Sequence, residues 1–188
     1  GAIAAGIRRL EALTGKAAED YIYRQLDELE QIKDLLRQPK NSTQALQQIL
    51  QANESMKKEL SAMQGKQLSQ LADQLAGSAE KIDGINFIAA KLELDPKSVK
   101  DIAFKLKGKL DSLFLVLSHW TGEKPGITIM IAEDVVKGKG LHAGNLVREL
   151  ASHINGGGGG QPFFATAGGK DISGLDKVLS EARAKITA

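Results

Sequence analysis

The chain has 188 residues, of which 42% are apolar and 26% charged, and a net charge of +2. These are the proportions of a globular chain, and they exclude a disordered one; so small a net charge does not by itself imply nucleic-acid binding. No apolar run approaches the roughly 20 residues that span a bilayer, and the absence of cysteine removes disulfides, zinc fingers and thiol nucleophiles and fits a reducing cytoplasm.

At the start, a short apolar segment from Ile3 to Ile7 leads into Arg8-Arg9-Leu10-Glu11-Ala12 and stops at Thr14-Gly15. It carries no signal-peptide cleavage pattern. Too short to bury a core, residues 1–16 read as the tail of a preceding domain. Residues 17–76 predict a helical hairpin. Ile22, Leu26, Leu29, Ile32 and Leu36 recur at steps of three and four, one face of a helix over 17–38. Pro39 ends that helix, because it lacks an N–H and clashes with the preceding turn. Asn41, with Gln44 three residues on, has the pattern of an N-cap opening a second helix over 42–76. Leu46, Ile49, Met56, Leu60 and Met63 keep a heptad-like step, with Asn53 in the seam; Leu68, Leu71 and Leu75 resume it after a slip. At about 1.5 Å per residue this helix is roughly 50 Å long. The short turn makes the two helices antiparallel, coiled-coil-like neighbours, and the plainest expectation is that each apolar stripe covers the other. So long a seam also leaves apolar surface for a second chain.

Residues 77–84 read as a linker, and beyond them the period changes. Ile85 to Leu94 is rich in strand formers. Asp95-Pro96 caps a helix over about 97–110. Ser112–Ser118 and Ile127–Ala132 are buried-strand runs joined through Gly122–Gly126. Ala143–Ile154 is helical, five consecutive glycines follow, Phe163–Ala167 is a short strand, and Leu175–Ile186 is a closing helix. The order β-α-β-β-α-loop-β-α predicts a small layered α/β domain with a mixed sheet over 85–188. Residues 1–80 hold 10 basic against 11 acidic side chains and the remainder 15 against 12, so the positive excess lies in this domain.

The glycine run Gly156–Gly160 is the sharpest local feature. It reads either as a surface loop or as a place where backbone N–H groups approach a phosphate or another backbone closely. It is neither of two familiar phosphate loops. Gly168-Gly169-Lys170-Asp171 lacks the hydroxyl residue and upstream glycine of a P-loop, and the run follows a helix where a dinucleotide fingerprint follows a strand. His119, His142 and His153 lack metal-ligand spacing, and His119 is expected to pack beside Trp120. Glu133-Asp134 at a strand end has no partner cluster for acid–base work. Lys97, Lys100, Lys105, Lys107 and Lys109 make one helix basic, either as a solvated face or along a phosphate backbone. Phe163, Phe164 and Trp120 are candidates to stack on bases, against the plainer reading of core packing.

Two segments carry a family resemblance. Lys139-Gly140-Leu141-His142-Ala143-Gly144-Asn145-Leu146-Val147, together with the stretch from Gly156 through Gln161-Pro162-Phe163-Phe164 to Gly168-Gly169, resembles the carboxy-terminal domain of alanyl-tRNA synthetases. That domain has a KG…AG…LV helix, a polyglycine loop and an AGG close. The opening Ala4–Gly15 is similar to the last segment of the editing domain in the same enzymes, so the resemblance covers the whole chain. It implies a non-catalytic module that binds tRNA(Ala) and forms a homodimer, within a cytoplasmic ligase that attaches alanine to tRNA(Ala) and edits mischarged tRNA. ATP, Mg and Zn would then be held only by upstream domains, with no cofactor, metal or membrane partner for this segment. The candidate tRNA contacts are Lys137 and Lys139, just before the helix that leads into the glycine run, together with Gly156, Gly157, Gly158, Gly159, Gly160 and Gln161, where unhindered N–H groups suit phosphates; Gly157, Gly158 and Gly159 also permit close backbone approach between subunits. A related domain accompanies DHH-type phosphoesterases, where a GGGHxxAAG-like loop binds phosphate. Here Phe163 stands in the histidine's place, so phosphoesterase chemistry is not implied. Many of the synthetases have Arg-Pro-Asp where this chain has Gln161-Pro162-Phe163. Two other readings stay open: a purely structural oligomerisation module, and the tail of a freestanding alanyl-tRNA trans-editing hydrolase.

Overall fold

The computed structural model describes residues 2–4, 6–8 and 11–187. Of the segment expected to be a domain tail, Gly1, Ala5, Arg9 and Leu10 lie outside the described residues. The chain comprises two compact units, residues 1–61 and 62–188.

In the first unit, β1 (Ala2–Ala4) and β2 (Ile7–Arg8) form an antiparallel pair. Helix α1 spans Lys16–Leu35 and α2 begins at Ser42, running to Gly77. The end of α1 is closed by two reversed hydrogen bonds, Arg37 N–H to Asp34 O and Gln38 N–H to Lys33 O, with Arg37 left-handed at φ 64° where glycine usually stands. Asn41 Oδ1 accepts the Gln44 N–H at 3.0 Å, the N-cap that the sequence indicates. The expectation that the two stripes cover each other is not met. Helix α1 has no buried residue, and Ile22 and Leu26 on it are exposed, as are Ile49 and Leu60 on α2. The step of three and four identifies which face is apolar; it says nothing of what lies against that face.

The second unit is α+β. Its six-stranded sheet has the order β3-β4-β5-β6-β8-β7. The strands are β3 (Glu80–Ile82), β4 (Ile85–Leu92), β5 (Leu113–Thr121), β6 (Lys124–Ile131), β7 (Gly157–Gly160) and β8 (Phe164–Gly168). Only β4 and β5 are parallel, joined through α3 (Pro96–Lys107); the other pairs are antiparallel. Helices α4 (Glu133–Lys139) and α5 (Ala143–Ala151) follow β6, and α6 (Leu175–Thr187) ends the domain. Strand alternation divides the core. Phe87, Phe114, Val116, Ile129 and Ala165 point to α5 and α6, while Ile88, Leu115, Leu117 and Met130 point to α3 and to Leu68, Leu71, Ala72 and Leu75 of α2. The sheet is therefore sandwiched between two helical layers.

Two elements differ from expectation by addition. Strand β3 lies in the segment read as a linker, and α4 occupies a stretch to which no element was assigned. The third difference is a correction. Gly157–Gly160 is no loop: it is an edge strand in register with β8, pairing Gly157 with Gly168 and Gly160 with Ala165. A strand without side chains has no hydrophobic alternation, so nothing in its sequence pattern announces it.

Candidate nucleic-acid interface

The glycines are required where backbones meet. A Cβ on Gly156, Gly158 or Gly160 would strike the carbonyl oxygens of Gly168, Thr166 and Phe164 respectively, all on β8. One on Gly144 would lie 2.6 Å from the Gly160 carbonyl oxygen, so α5 also rests directly on β7. Gly157 has open space around it, and Gly159 faces only the Arg148 guanidinium. The run is thus mainly a packing device, with its alternate members turned outward.

On the α3 side, the helical layer packs over β4, β5 and β6 and leaves β8 and β7 partly open. The result is a cleft of about 1660 Å³. His119, Thr128, Thr166 and Phe164 line its strands; Lys97 and Lys100 stand on α3; Lys124 follows the β5–β6 turn; Gly156, Gly157 and Lys170 close the edge. Four lysines therefore border one cleft, with Glu123 as the acidic residue among the lining. Four lysines elsewhere in the domain are ion-paired: Lys91 with Asp176, Lys109 with Asp73, Lys139 with Asp83 and Lys185 with Glu149.

The lysine run of α3 splits by helical geometry. Lys105 donates to Ser69 Oγ at 2.6 Å and to the Gly65 carbonyl, and Lys109 pairs with Asp73, so both are tied to α2. Lys97, Lys100, Phe104 and Lys107 fall on the other stripe, spaced at three and four. Lys100 lies 5.9 Å from the ring centres of both Phe104 and Phe164, and Lys107 lies 5.3 Å from that of Phe163. Each such contact at an exposed site contributes about 0.5–1 kcal/mol, while stacking a base on an aromatic ring contributes about 1–3. A base can therefore displace the lysine from the ring, leaving the cation for a neighbouring phosphate.

His119 is buried on the cleft side, its Nε2 3.4 Å from Thr128 Oγ1. Gly126 makes room for the ring, since a Cβ there would sit 2.5 Å from Cε1. The expected packing against Trp120 does not occur. Adjacent strand residues face opposite ways, and Trp120 packs on the α5–α6 side beneath Lys91, 5.8 Å from its ring centre. Burial lowers the His119 pKa below the ordinary histidine value. The folded state thus prefers the neutral ring: its contribution to stability is complete above the unfolded-state pKa and declines as pH falls below it. Urea melts between pH 7 and pH 5 should show the parent losing stability by up to about 1.4 kcal/mol per pH unit from this group, and His119→Gln lacking that component. Equal pH dependence in both would refute the assignment.

The other two histidines are structural ties. His142 Nδ1 accepts the Asn145 N–H at the start of α5, and His153 Nε2 is 2.8 Å from Glu181 Oε2 on α6. Glu133 and Asp134 occupy the first turn of α4, and a hydrogen bond from Ser112 holds the Asp134 carboxyl below the usual carboxylate range. Among the described residues no cluster of three His, Cys, Asp or Glu side chains could hold a metal.

The sequence-indicated residues do not form one patch. Gly156 and Gly157 border the cleft, but Lys137 and Lys139 sit on α4 beyond the opposite end of β6. Lys139 is 3.2 Å from Asp83. Gln161 lies at the β7–β8 turn, where its N–H donates to the Phe164 carbonyl at 2.8 Å. Lys124 is isolated in sequence and carries no local signal, and Lys170 stands in a Gly-Gly-Lys stretch that lacks the P-loop pattern. The α3 stripe is legible from helical phase alone.

The profile of the DHHA1 domain matches residues 84–188. Alanine–tRNA ligase of Cytophaga hutchinsonii is 41% identical over 182 residues, which is 96% of this chain and 21% of the relative. That of Christiangramia forsetii is 40% identical over 185 residues, again 21% of its length. The chain thus spans about a fifth of the curated relatives it matches. A crystal structure of the C-Ala domain from Aquifex aeolicus alanyl-tRNA synthetase shares the fold, with a TM-score of 0.52 at 19% identity, over 58% of this chain and 98% of that one. With the matched profile covering the sheet and its helices from Gly84 onward, the chain belongs to the DHHA1 domain family, in the form found in alanine–tRNA ligases.

Proposed function

We propose that this chain is the tRNA-binding and self-associating module of an alanine–tRNA ligase and has no catalytic centre of its own. The observation that carries the reading is its similarity, over 96% of its length, to one fifth of such ligases, together with four lysines around one open cleft. In this reading ATP, Mg and Zn serve the remaining parts of the parent enzyme, which works in the cytoplasm, and the partner is tRNA(Ala). The RNA backbone lies against Lys97, Lys100, Lys124 and Lys170, with Gly156 and Gly157 admitting it close to the main chain. Lys137, Lys139 and Gln161 make a second, outer contact. The Lys139–Asp83 pair does not oppose this, because an exposed ion pair is worth only about 0–1 kcal/mol. Self-association is supported by β7: Gly157, Gly158 and Gly159 belong to an edge strand, whose outer row of backbone groups is unpaired by the sheet. That the matched relatives are ligases favours this reading over a freestanding trans-editing hydrolase.

Binding to tRNA should weaken as salt rises, with a slope set by the phosphates neutralised. Replacing Lys97, Lys124 and Lys170 together with alanine should lower that slope by about three, roughly one per lysine. Replacing Lys137 and Lys139 should lower it by about two. A parent chain that does not bind tRNA at low salt would refute the RNA reading and leave a purely structural module. An unchanged slope for the Lys137/Lys139 variant would remove α4 from the interface.

A further inference from the structure

We propose that Phe104 and Phe163 form a platform on which unpaired nucleobases of the bound RNA stack; the proposal rests on the tRNA-binding reading above. The chain has five phenylalanines. Phe87 and Phe114 are core residues and contact each other, and Phe164 is half-buried. Phe104 and Phe163 are instead 45% and 37% exposed, although they belong to a domain with a well-filled core. Both lie on the same side of that domain. The Phe164 ring is 5.4 Å from that of Phe104, and Phe163, the residue before it, lies 5.3 Å from Lys107 of the same helix. Lys100 and Lys107 hang over these rings.

The charge decides the occupant. An apolar protein face would have to strip water from two ammonium groups to reach the rings. A single-stranded polyanion with aromatic bases satisfies both features at once: the base stacks on the ring and the adjoining phosphate takes the lysine. Bases inside a duplex have both faces covered, so the platform selects loops, bulges or ends, without strong preference for which base. Lys100 also lines the cleft, which makes the platform continuous with the lysines that track the backbone.

The test uses the full chain and an unmodified tRNA(Ala) transcript. Phe104→Leu/Phe163→Leu keeps the apolar bulk and removes the π-faces; Phe104→Trp/Phe163→Trp enlarges them. The leucine variant should bind about tenfold more weakly with an unchanged salt slope, and the tryptophan variant at least as tightly as the parent. Thermal melts of both should match the parent, since neither ring is part of the core. A leucine variant that binds as well as the parent overturns the platform and leaves the tRNA reading standing. A slope that falls together with affinity also overturns it, because the rings would then act only by placing the lysines. If the parent chain binds no tRNA, both fall.

Discussion

Replacing Gly158 with alanine should destabilise the C-terminal domain by about 3 kcal/mol, whereas the same change at Gly157 should be nearly silent. The two residues are neighbours in a run of identical residues, so helix and strand propensities cannot separate them. Packing does. A Cβ at Gly158 would collide with the Thr166 carbonyl oxygen and come within 2.5 Å of Ala167 Cα; at Gly157 nothing lies within 4 Å. The obstacles at Gly158 are backbone atoms of β8, which cannot rotate aside as a flexible side chain would. Relief requires β7 to peel from β8, which also breaks the close seat of α5 at Gly144 and Gly160. Urea melts of the two single variants measure the difference, and hydrogen exchange at Thr166 and Ala167 locates it. Equal stability of the two variants would show that the strand is not held in this register.

Replacing Ala72 with glutamate should cost about 3–5 kcal/mol. Ala72 is the buried residue of α2 and is fully enclosed, in the cluster that includes Ile88, Val99, Ile102 and Leu115. The cluster around it is apolar, so a carboxylate pointing into it must be protonated or drive the helix off the sheet. If the helix leaves, Leu68, Leu71 and Leu75 lose their cover together, and the Lys105–Ser69 and Lys109–Asp73 contacts go with them. The matching control is Gly65→Ala. It lies in the same helix with open space around its Cα, and should stabilise by about 1 kcal/mol through helix propensity. A tolerated glutamate at Ala72 would mean that the last turns of α2 are not part of the domain's core.

Much of this architecture is legible in the sequence, because local chemistry is. Pro39 and Asn41 mark the helical turn, Asp95-Pro96 opens α3, and the apolar runs of β5 and β6 need no partner to be recognised. The Lys139–Val147 segment and the glycine run carry the resemblance to alanyl-tRNA synthetases, and the family follows from them. Hydrophobic period and capping residues act within a few positions of the chain, so they survive without the fold.

The nature of the glycine run and the location of the basic surface were decided only by tertiary structure. Glycine leaves no periodic trace, and whether it serves as loop or strand depends on β8 and α5, which approach it from elsewhere in the chain. In the same way Lys97, Lys100, Lys124 and Lys170 become one electropositive rim only when the β5–β6 turn, the start of α3 and the end of β8 are brought to one side of the sheet. Phe163 and Phe104 are 59 positions apart in the sequence. Phe104 meets Phe164, the chain neighbour of Phe163, because β8 pairs with β6 and α3 packs over β6. Long-range pairing of strands and the packing of a helix over them, not any local pattern, put the aromatic and basic groups together.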